Sequence, residues 1–400
     1  MGSIFHWNNG IKLKIGDVAT ILAIFYFLMP IAVQTMKFLG IAIVVIMWFA
    51  VLKFHLEQIS KNIILCLTGW VIVYSLCQLL LHSSFVSLAM NCFSFFLFFF
   101  PAMIYYNYSE NCFSLKAHII LIIACVAVLI GSINTILVLN IYPNASRILA
   151  TGSSEAAQYA RIGAGGYGFV YGVSFIIPCA VKSLFSKKNK YKIALCLFII
   201  VCFWMLVKAA YTIALIVVFF GSVFAILKKR WQQVFAVIVS IISSFIIKGN
   251  VIGDLLVKIS DLFASGSMLQ LKFVSMSRLF YYNDFVEGTG SRIYLYERSW
   301  NAIKESPFFG GLYSGVFGGG HTSWLDLYAR FGVFSLILFS LLIYVQRRIY
   351  LTIPDDNKPF YFAVLIIFWI LGFINPIHSQ MMIGMSVFLV VPIWLNVDSQ

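Results

Sequence analysis

Long apolar stretches with almost no charged residues recur along the whole sequence. Residues 118–140, HIILIIACVAVLIGSINTILVLN, contain no Asp, Glu, Lys or Arg. A helix needs about 20 mostly apolar residues to cross the hydrocarbon core of a bilayer, so this segment is long enough. Apolar residues make up 62% of the chain, against about 45–50% in soluble domains. The sequence therefore predicts an all-α polytopic membrane protein.

The same length criterion predicts about 12 transmembrane helices. They lie at roughly 18–35, 38–54, 62–81, 86–106, 118–140, 168–185, 191–207, 209–227, 233–249, 325–345, 361–377 and 380–396. Adjacent spans are expected to meet in tight hairpins at Lys37 and Lys208.

Two loops between the predicted spans are long, at about 140–167 and 250–324. An unstructured loop as long as the second is uncommon, so it predicts a small folded cap. The chain thus divides into a first transmembrane bundle (1–249), a large outer loop (250–324) and C-terminal transmembrane helices (325–400).

The large outer loop is expected to contain two helices. In DLLVKISDLF, apolar side chains share one helical face, which suits a helix lying at the membrane surface. These side chains are Leu255, Leu256, Ile259, Leu262 and Phe263. A second helix is predicted in SRIYLYERSWNAIKESP, from a cap at Ser291 to a stop at Pro307.

Basic residues flank the predicted spans and give the chain an orientation. The excess of 28 Lys and Arg over 14 Asp and Glu follows from the positive-inside rule without a nucleic-acid partner. If the N-terminus is cytoplasmic, so are the even-numbered loops, which carry most of this charge. Those loops contain Lys53, Lys61, Lys116, Lys182, Lys187, Lys188, Lys190, Lys192, Lys228, Lys229, Arg230, Arg347, Arg348 and Lys358. Both termini are therefore predicted to be cytoplasmic, with the two long loops outside.

The most crowded polar cluster is FGGGHTSWLDLYARFG, residues 317–332. Ser323 and Asp326 form a capping-box pattern, so a helix is predicted to begin at Trp324. His321 would then lie ahead of a positive helix end, which disfavours the imidazolium and leaves a neutral proton acceptor. Asp326 and Arg330, four residues apart, have the favourable order for an ion pair. The alternative is a purely structural loop and cap, and His82 and His378 are competing outer histidines.

Three other basic residues are predicted on the outer side, namely Arg161, Lys208 and Arg292. Charge near the membrane suggests a function, and several cations beside a neutral base suggest a phosphate-bearing substrate. Snorkelling to the interface is the alternative for Lys208, and a solvated loop face is the alternative for the two arginines. No outer DxD, Walker, HExxH or GxSxG motif occurs, so no metal or cofactor is expected.

Three stretches resemble a known family. SRIYLYERSWNAIKESPFFGG and GGGHTSWLDLYARFG are similar to the large outer loop and following span of bacterial O-antigen and capsular polysaccharide polymerases. YARIGAGGYGFVYG resembles the stretch before a middle span in these enzymes, which share a superfamily with the O-antigen ligases. The predicted spans, loop sizes and topology agree with this family over nearly the whole chain.

The resemblance implies a GT-C-like integral membrane glycosyltransferase of the bacterial inner membrane that uses no metal, cofactor or nucleotide sugar. Its donor would be a glycan on undecaprenyl pyrophosphate, and its acceptor a sugar hydroxyl on another lipid-linked repeat unit. The implied partners are this lipid-linked oligosaccharide and membrane lipid, and a polysaccharide chain-length regulator is a further candidate.

The resemblance also assigns roles to residues. His321 matches the histidine that activates the acceptor hydroxyl, and Arg161 and Arg292 match arginines that hold pyrophosphate. Lys208 lies where relatives often have arginine, a departure because lysine lacks the bidentate fork. Three further residues are expected to bind the pyrophosphate or the glycan, namely Arg298, Asp326 and Arg330.

Two other functions stay open. An O-antigen ligase would use the same donor, although serine and aspartate in GGHTSWLD match the polymerases better than the ligases' usual histidine–asparagine pattern. A lipid-linked oligosaccharide flippase or other transporter would have short, even loops and ionisable residues within its spans. This chain has nearly charge-free spans and two long outer loops, which favours the polymerase.

Overall fold

The protein is described by a computed structural model. It describes residues 5–6, 12–13, 15–52, 56–80, 86–109, 115–149, 153–186, 191–227, 232, 249–267, 270–271, 273–274, 277, 289–311, 318–378 and 380–398. The N-terminal part contains two antiparallel strands of two residues each, Phe5–His6 and Lys12–Leu13, a small departure from the all-α prediction. The other regular elements in these ranges are helices.

The helices are named here in chain order. The first ten are α1 (Ile15–Leu28), α2 (Pro30–Val51), α3 (Gln58–Leu80), α4 (Val86–Ser109), α5 (Leu115–Ile141), α6 (Ala145–Ile148), α7 (Ser154–Arg161), α8 (Tyr167–Leu184), α9 (Lys192–Ala209) and α10 (Thr212–Ile226). They are followed by α11 (Gly249–Ser260), α12 (Thr289–Glu305), α13 (Ser323–Phe331), α14 (Ser335–Thr352), α15 (Lys358–Ile374), α16 (Met381–Met385) and α17 (Val391–Val397). A 3-10 turn, Gly332–Phe334, joins α13 to α14, and a π-helical turn, Ser386–Val390, joins α16 to α17.

Several helices have the length and composition of membrane spans. Within the described ranges, five segments qualify, namely Gln58–Cys77, Lys116–Ile141, Tyr167–Leu184, Lys192–Ala209 and Ser323–Thr352. Their outer faces carry apolar side chains, such as Leu65 at 76% exposure and Ile193 at 80%. Such faces suit contact with lipid, because exposed apolar surface on this scale is costly in water. The chain is therefore helical and rich in potential membrane spans.

Eleven of the predicted apolar segments coincide with helices, and the segment at 233–249 lies almost wholly outside the described residues. The hairpin expected at Lys208 is confirmed, since α9 ends at Ala209 and α10 begins at Thr212. Lys37 lies inside α2, so no helix end marks the hairpin expected there, but Trp48 Nε1 donates to Thr20 Oγ1 at 3.0 Å and Leu52 meets Gly16, so the second half of α2 runs back along α1. The helix is interrupted at Met29–Pro30, where proline lacks the amide needed to continue α1 but suits the first turn of α2.

Successive helices run back and forth, so the bundle has two distinct ends. The basic end holds the Lys116–Asp17 ion pair at 2.8 Å and the hydrogen bond from Ser183 Oγ to Asp398 Oδ1 at 2.8 Å. Basic residues at this end include Lys61, Lys116, Lys182, Lys192, Arg347, Arg348 and Lys358. The loop end holds α6, α7, α12 and the turns at 29–30, 209–212 and 375–380. The described members of the basic set used for orientation thus gather at one end.

The helices predicted within residues 250–324 form near their expected positions. The helix α12 begins at Thr289, ahead of the expected cap at Ser291, and ends before Pro307. It packs against α13, and Tyr296 Oη donates to the carbonyl of Phe373 at 2.8 Å. The amphipathic helix α11 leaves Leu255 exposed, and Leu262 beyond its end is also exposed, as a surface helix requires.

Close packing at Gly372 fixes α15 against the start of α13. A Cβ at Gly372 would overlap the indole ring of Trp324, whose Nε1 donates to the carbonyl of Trp369 at 2.8 Å. Gly372→Ala is expected to cost about 1–3 kcal/mol in free energy of unfolding, because the enclosed ring has to shift. Thermal unfolding of the detergent-solubilised protein measures this cost.

Gly69→Ala is the matched control, because a Cβ at this helical glycine meets no atom of the described residues within 4 Å. It is expected to be neutral or to stabilise by about 0.5–1 kcal/mol through helix propensity. Equal melting temperatures for the two variants would show that the packing at Gly372 is not tight.

Candidate functional site

The helix α13 begins with a side-chain cap, one residue earlier than the sequence predicts. Thr322, not Ser323, is the N-cap residue, and its hydroxyl accepts from the amide of Leu325 at 3.0 Å. The Asp326 carboxylate accepts from the Thr322 amide at 2.9 Å, so the cap is reciprocal. The predicted pattern is therefore present but shifted, because Ser323 makes other contacts.

The Ser323 hydroxyl joins two segments that are distant in sequence. Ser323 Oγ donates to the carbonyl of Asn375 at 3.1 Å and accepts from the amides of Ile377 at 2.5 Å and His378 at 3.1 Å. The hydroxyl is buried, so these bonds are shielded from water. The turn between α15 and α16 is thereby attached to the start of α13.

Asp326 fastens the glycine-rich loop to α12. Its Oδ1 accepts from Ser299 Oγ at 2.6 Å, and Ser299 Oγ accepts from the amide of Gly319 at 2.8 Å. Both carboxylate oxygens of Asp326 thus have donors. The ion pairs within the described ranges are Lys116–Asp17 and Lys358–Asp355, so Asp326 and Arg330 do not meet at ion-pair distance, although the charge of Asp326 acts on Arg330. Competing donors near Asp326 explain the difference.

His321 lies between this loop and the helix cap. It is half-buried and directly precedes the N-cap Thr322. The neighbouring Gly320 has a φ of 78°, a conformation that favours glycine, and a Cβ there would meet no described atom within 4 Å. The loop is therefore anchored through the amide of Gly319.

His378 is the more enclosed histidine of the loop end. Its ring stacks on Phe95 with centroids 5.9 Å apart, and its Nδ1 is buried without a hydrogen-bond partner in the described structure. Burial lowers the pKa of His378 from 6.5 to about 4, and the positive charge of Arg330 acts in the same direction. His378 is therefore a neutral imidazole near pH 7.

The other predicted residues are spread over the loop end. Arg161 is the last residue of α7 and Arg298 lies on α12, and both are exposed. Lys208 is half-exposed, with its Nζ 5.5 Å from the centre of the Trp204 ring. Arg292 is in the first turn of α12, but its side chain lies outside the described part of the structure, as does the whole of His82. Among the described side chains, Arg161, Lys208 and Arg298 lie on three different helices, α7, α9 and α12.

An arginine that the sequence reasoning missed occupies a more enclosed position. Arg147, in α6, donates from Nη2 to the carbonyl of Ala210 at 2.6 Å, and its guanidinium carbon lies 5.8 Å from the centre of the Tyr211 ring. Tyr211 Oη donates back to the carbonyl of Ser146 at 3.0 Å. Burial lowers the pKa of Arg147 from its ordinary value.

Three tyrosine rings connect Arg147 to the centre of the loop end. The ring of Tyr167 lies 4.6 Å from that of Tyr171 and 5.9 Å from that of Tyr211, and the last two are 5.8 Å apart. Asn375 Nδ2 donates to Tyr171 Oη at 3.1 Å, and the Asn375 carbonyl accepts from Ser323. Contacts thus run from Arg147 through tyrosines to the helix start beside His321.

Helix polarity adds to the positive potential of this region. The long helices α8 and α10 both begin at the loop end, at Tyr167 and Thr212, and neither has a side-chain cap. Their first amides therefore carry partial positive charge that no capping side chain satisfies. Together with Arg147, they favour an anion at the loop end.

No metal centre is formed by the side chains that the structure describes, since no three His, Cys, Asp or Glu side chains lie close enough to hold an ion. The arrangement instead offers hydrogen-bond donors, cations and the neutral imidazole of His378. No family model matches the chain, and none of the curated proteins compared with it gives a match.

The low pKa of His378 makes stability depend on pH. The unfolded chain, with a histidine pKa near 6.5, binds more protons than the folded one between about pH 4 and 6.5. The folded state with neutral His378 therefore has its full stability above this pH window and loses stability as the pH falls through it. Between pH 7 and 4.5 the free energy of unfolding of the wild type is expected to fall by about 1–3 kcal/mol more than that of His378→Gln. Thermal unfolding at both pH values checks this, and parallel pH profiles of the two proteins would contradict it.

Proposed function

We propose that this chain is a bacterial polysaccharide polymerase. It transfers a growing glycan from undecaprenyl pyrophosphate to a sugar hydroxyl of another lipid-linked repeat unit. The observation that carries the proposal is the connected loop end of an apolar helix bundle, where contacts run from Arg147 through Tyr211, Tyr171 and Asn375 to Ser323, two residues after His321. A proton acceptor and an anion-binding region on one connected frame are what this transfer requires.

His321 and the cations have separate roles in the proposed transfer. His321, ahead of the positive end of α13, stays neutral and accepts the proton from the attacking hydroxyl as the new glycosidic bond forms. The bond between the donor sugar and pyrophosphate breaks, and cations stabilise the charge on the leaving group. Arg161 and Arg292 are proposed to act there, with Lys208, Arg298 and Arg330 as further contacts. Asp326 is a positioning residue, because its carboxylate oxygens hold Ser299 and Thr322.

We also propose how the chain is oriented in the membrane. The chain spans the bacterial inner membrane about 12 times, with both termini cytoplasmic and the large loop 250–324 in the periplasm. The gathering of lysines and arginines at the basic end supports this orientation, since positive charge favours the cytoplasmic side. A chain-length regulator is the proposed protein partner, and the transfer needs no metal or nucleotide because the donor bond supplies the energy.

His321→Ala tests the proposal in the native host. The variant is expected to fold, because residue 321 precedes the helix and is not part of its packed body. Surface glycan should collapse from a ladder to single repeat units, since a positioned base contributes about 10²–10⁴-fold to the rate. Electrophoresis of surface glycan, at matched protein levels, measures the effect. His118→Ala, at the opposite end of the bundle, should retain the ladder.

The other outcomes separate the competing functions. Loss of all attached units, with long chains accumulating on undecaprenyl pyrophosphate, would indicate a ligase. Accumulation of single units on the cytoplasmic side would indicate a flippase. A full ladder from His321→Ala would exclude His321 as the base.

A further inference from the structure

We infer that Arg147 and the start of α10 form a binding subsite for a phosphate group of the substrate, a site distinct from Arg161 and Arg292. This inference deepens the proposed function and rests on it for the choice of a polyprenyl pyrophosphate as the substrate. The ligand chemistry is that of a phosphate or pyrophosphate oxyanion.

The first support is the unused hydrogen-bonding capacity of Arg147. A guanidinium has five N–H donors, and within the described residues the carbonyl of Ala210 is its one hydrogen-bond acceptor. No described carboxylate forms an ion pair with Arg147. A half-buried cation without a counter-charge is costly, and a bound oxyanion would remove that cost.

The second support is a pair of buried hydroxyls. One belongs to the residue that precedes Arg147, and the other to the residue that follows its ring contact, Tyr211. Ser146 Oγ and Thr212 Oγ1 are both enclosed and lack hydrogen-bond partners in the described structure. Ser146 precedes Arg147, and Thr212 follows Tyr211, whose ring lies against the guanidinium. Buried hydroxyls without partners are uncommon and suggest a bound group that supplies the partner.

The third support is the backbone around the α9–α10 turn. Ala210 adopts a φ of 55°, which is unfavourable for a residue with a Cβ, and in this conformation its carbonyl accepts from Arg147. The 15-residue helix α10 begins directly afterwards without a side-chain cap. Ala210 is the left-handed C-cap of α9, so this helix end holds the guanidinium of Arg147 near the uncapped start of α10.

The region also has the right surroundings for a lipid-linked anion. Tyr167, Tyr171 and Tyr211 line one side of it, while α9 and α10 expose apolar side chains such as Ile200 and Phe219. A charged headgroup could thus lie at the loop end while its hydrocarbon chain stays against the outer faces of these helices. The cation of Lys208, two residues before Ala210, adds positive charge at the same turn.

Binding of farnesyl pyrophosphate to the full chain in nanodiscs tests the inference without an activity assay. Farnesol and inorganic pyrophosphate are the two comparison probes. Arg147→Gln should weaken farnesyl pyrophosphate binding about ten- to hundredfold, the equivalent of one or two charge-assisted hydrogen bonds. Arg147→Lys should restore only part of the affinity, because lysine lacks the fork. Arg347→Gln, at the basic end, should bind as the wild type does.

Thr212→Val is a second variant that separates loss of binding from loss of the fold. It removes a buried hydroxyl without a partner, so the melting temperature should stay the same or rise, while affinity for farnesyl pyrophosphate falls severalfold. If inorganic pyrophosphate binds as tightly as the farnesyl compound, the site recognises the free anion. If the farnesyl compound binds more tightly and farnesol does not compete, the site recognises the lipid headgroup.

Unchanged affinity in both Arg147→Gln and Thr212→Val, or no wild-type preference for farnesyl pyrophosphate over farnesol, would overturn the subsite. The proposed function would still stand if His321→Ala collapses the glycan ladder. Conversely, loss of pyrophosphate binding in the Arg147 variants together with a full ladder in His321→Ala would keep the subsite and reject the catalytic role of His321.

Discussion

One buried hydroxyl, Ser323 Oγ, holds together the loop end of this helix bundle. It bonds three backbone groups of the 375–378 turn and lies in the first turn of α13. Away from water such bonds are strong, and each unmade bond would leave a buried polar group unsatisfied. The helix that follows His321, the turn that carries His378 and the asparagine that reaches Tyr171 therefore share one anchor.

The two ends of the bundle differ in electrostatics because they carry different polar groups. At the basic end, lysines and arginines flank the helices, and Asp17 and Asp355 each pair with a lysine. At the loop end, Arg147 has aromatic rings and a carbonyl as neighbours, and α8 and α10 add the partial positive charge of their first amides. A cation without a carboxylate partner, such as Arg147, favours binding of an anion. The charge of a lysine that already pairs with an aspartate is compensated.

The sequence predicts the helices well because hydropathy depends on local composition. Most apolar segments coincide with helices, and the α9–α10 hairpin lies where it is expected. The first hairpin shows the limit of this criterion. The sequence predicts a break at Lys37, a charge between two apolar runs, but the helix is interrupted at Pro30 because proline lacks an amide.

The site is less predictable, because its hydrogen bonds join residues that are far apart in the chain. The cap is displaced from Ser323 to Thr322 since the Ser323 hydroxyl bonds to residues more than fifty positions away. Arg147 was not selected because its neighbour, Ala210, becomes a neighbour only in the folded bundle. The sequence contains one signal for Arg147, which is its position in the predicted outer loop 140–167 together with Arg161.

Hydrogen exchange at the amides of Ile377 and His378 tests the role of Ser323 most directly, because both amides donate to its hydroxyl. Ser323→Ala in nanodiscs is expected to speed exchange in the 375–378 segment about ten- to hundredfold, with no change at 394–398 at the basic end. Ser340→Ala, at an exposed serine of α14, should leave both segments unchanged. Exchange at residues 377 and 378 that is as slow in Ser323→Ala as in the wild type would show that this hydroxyl does not hold the loop end together.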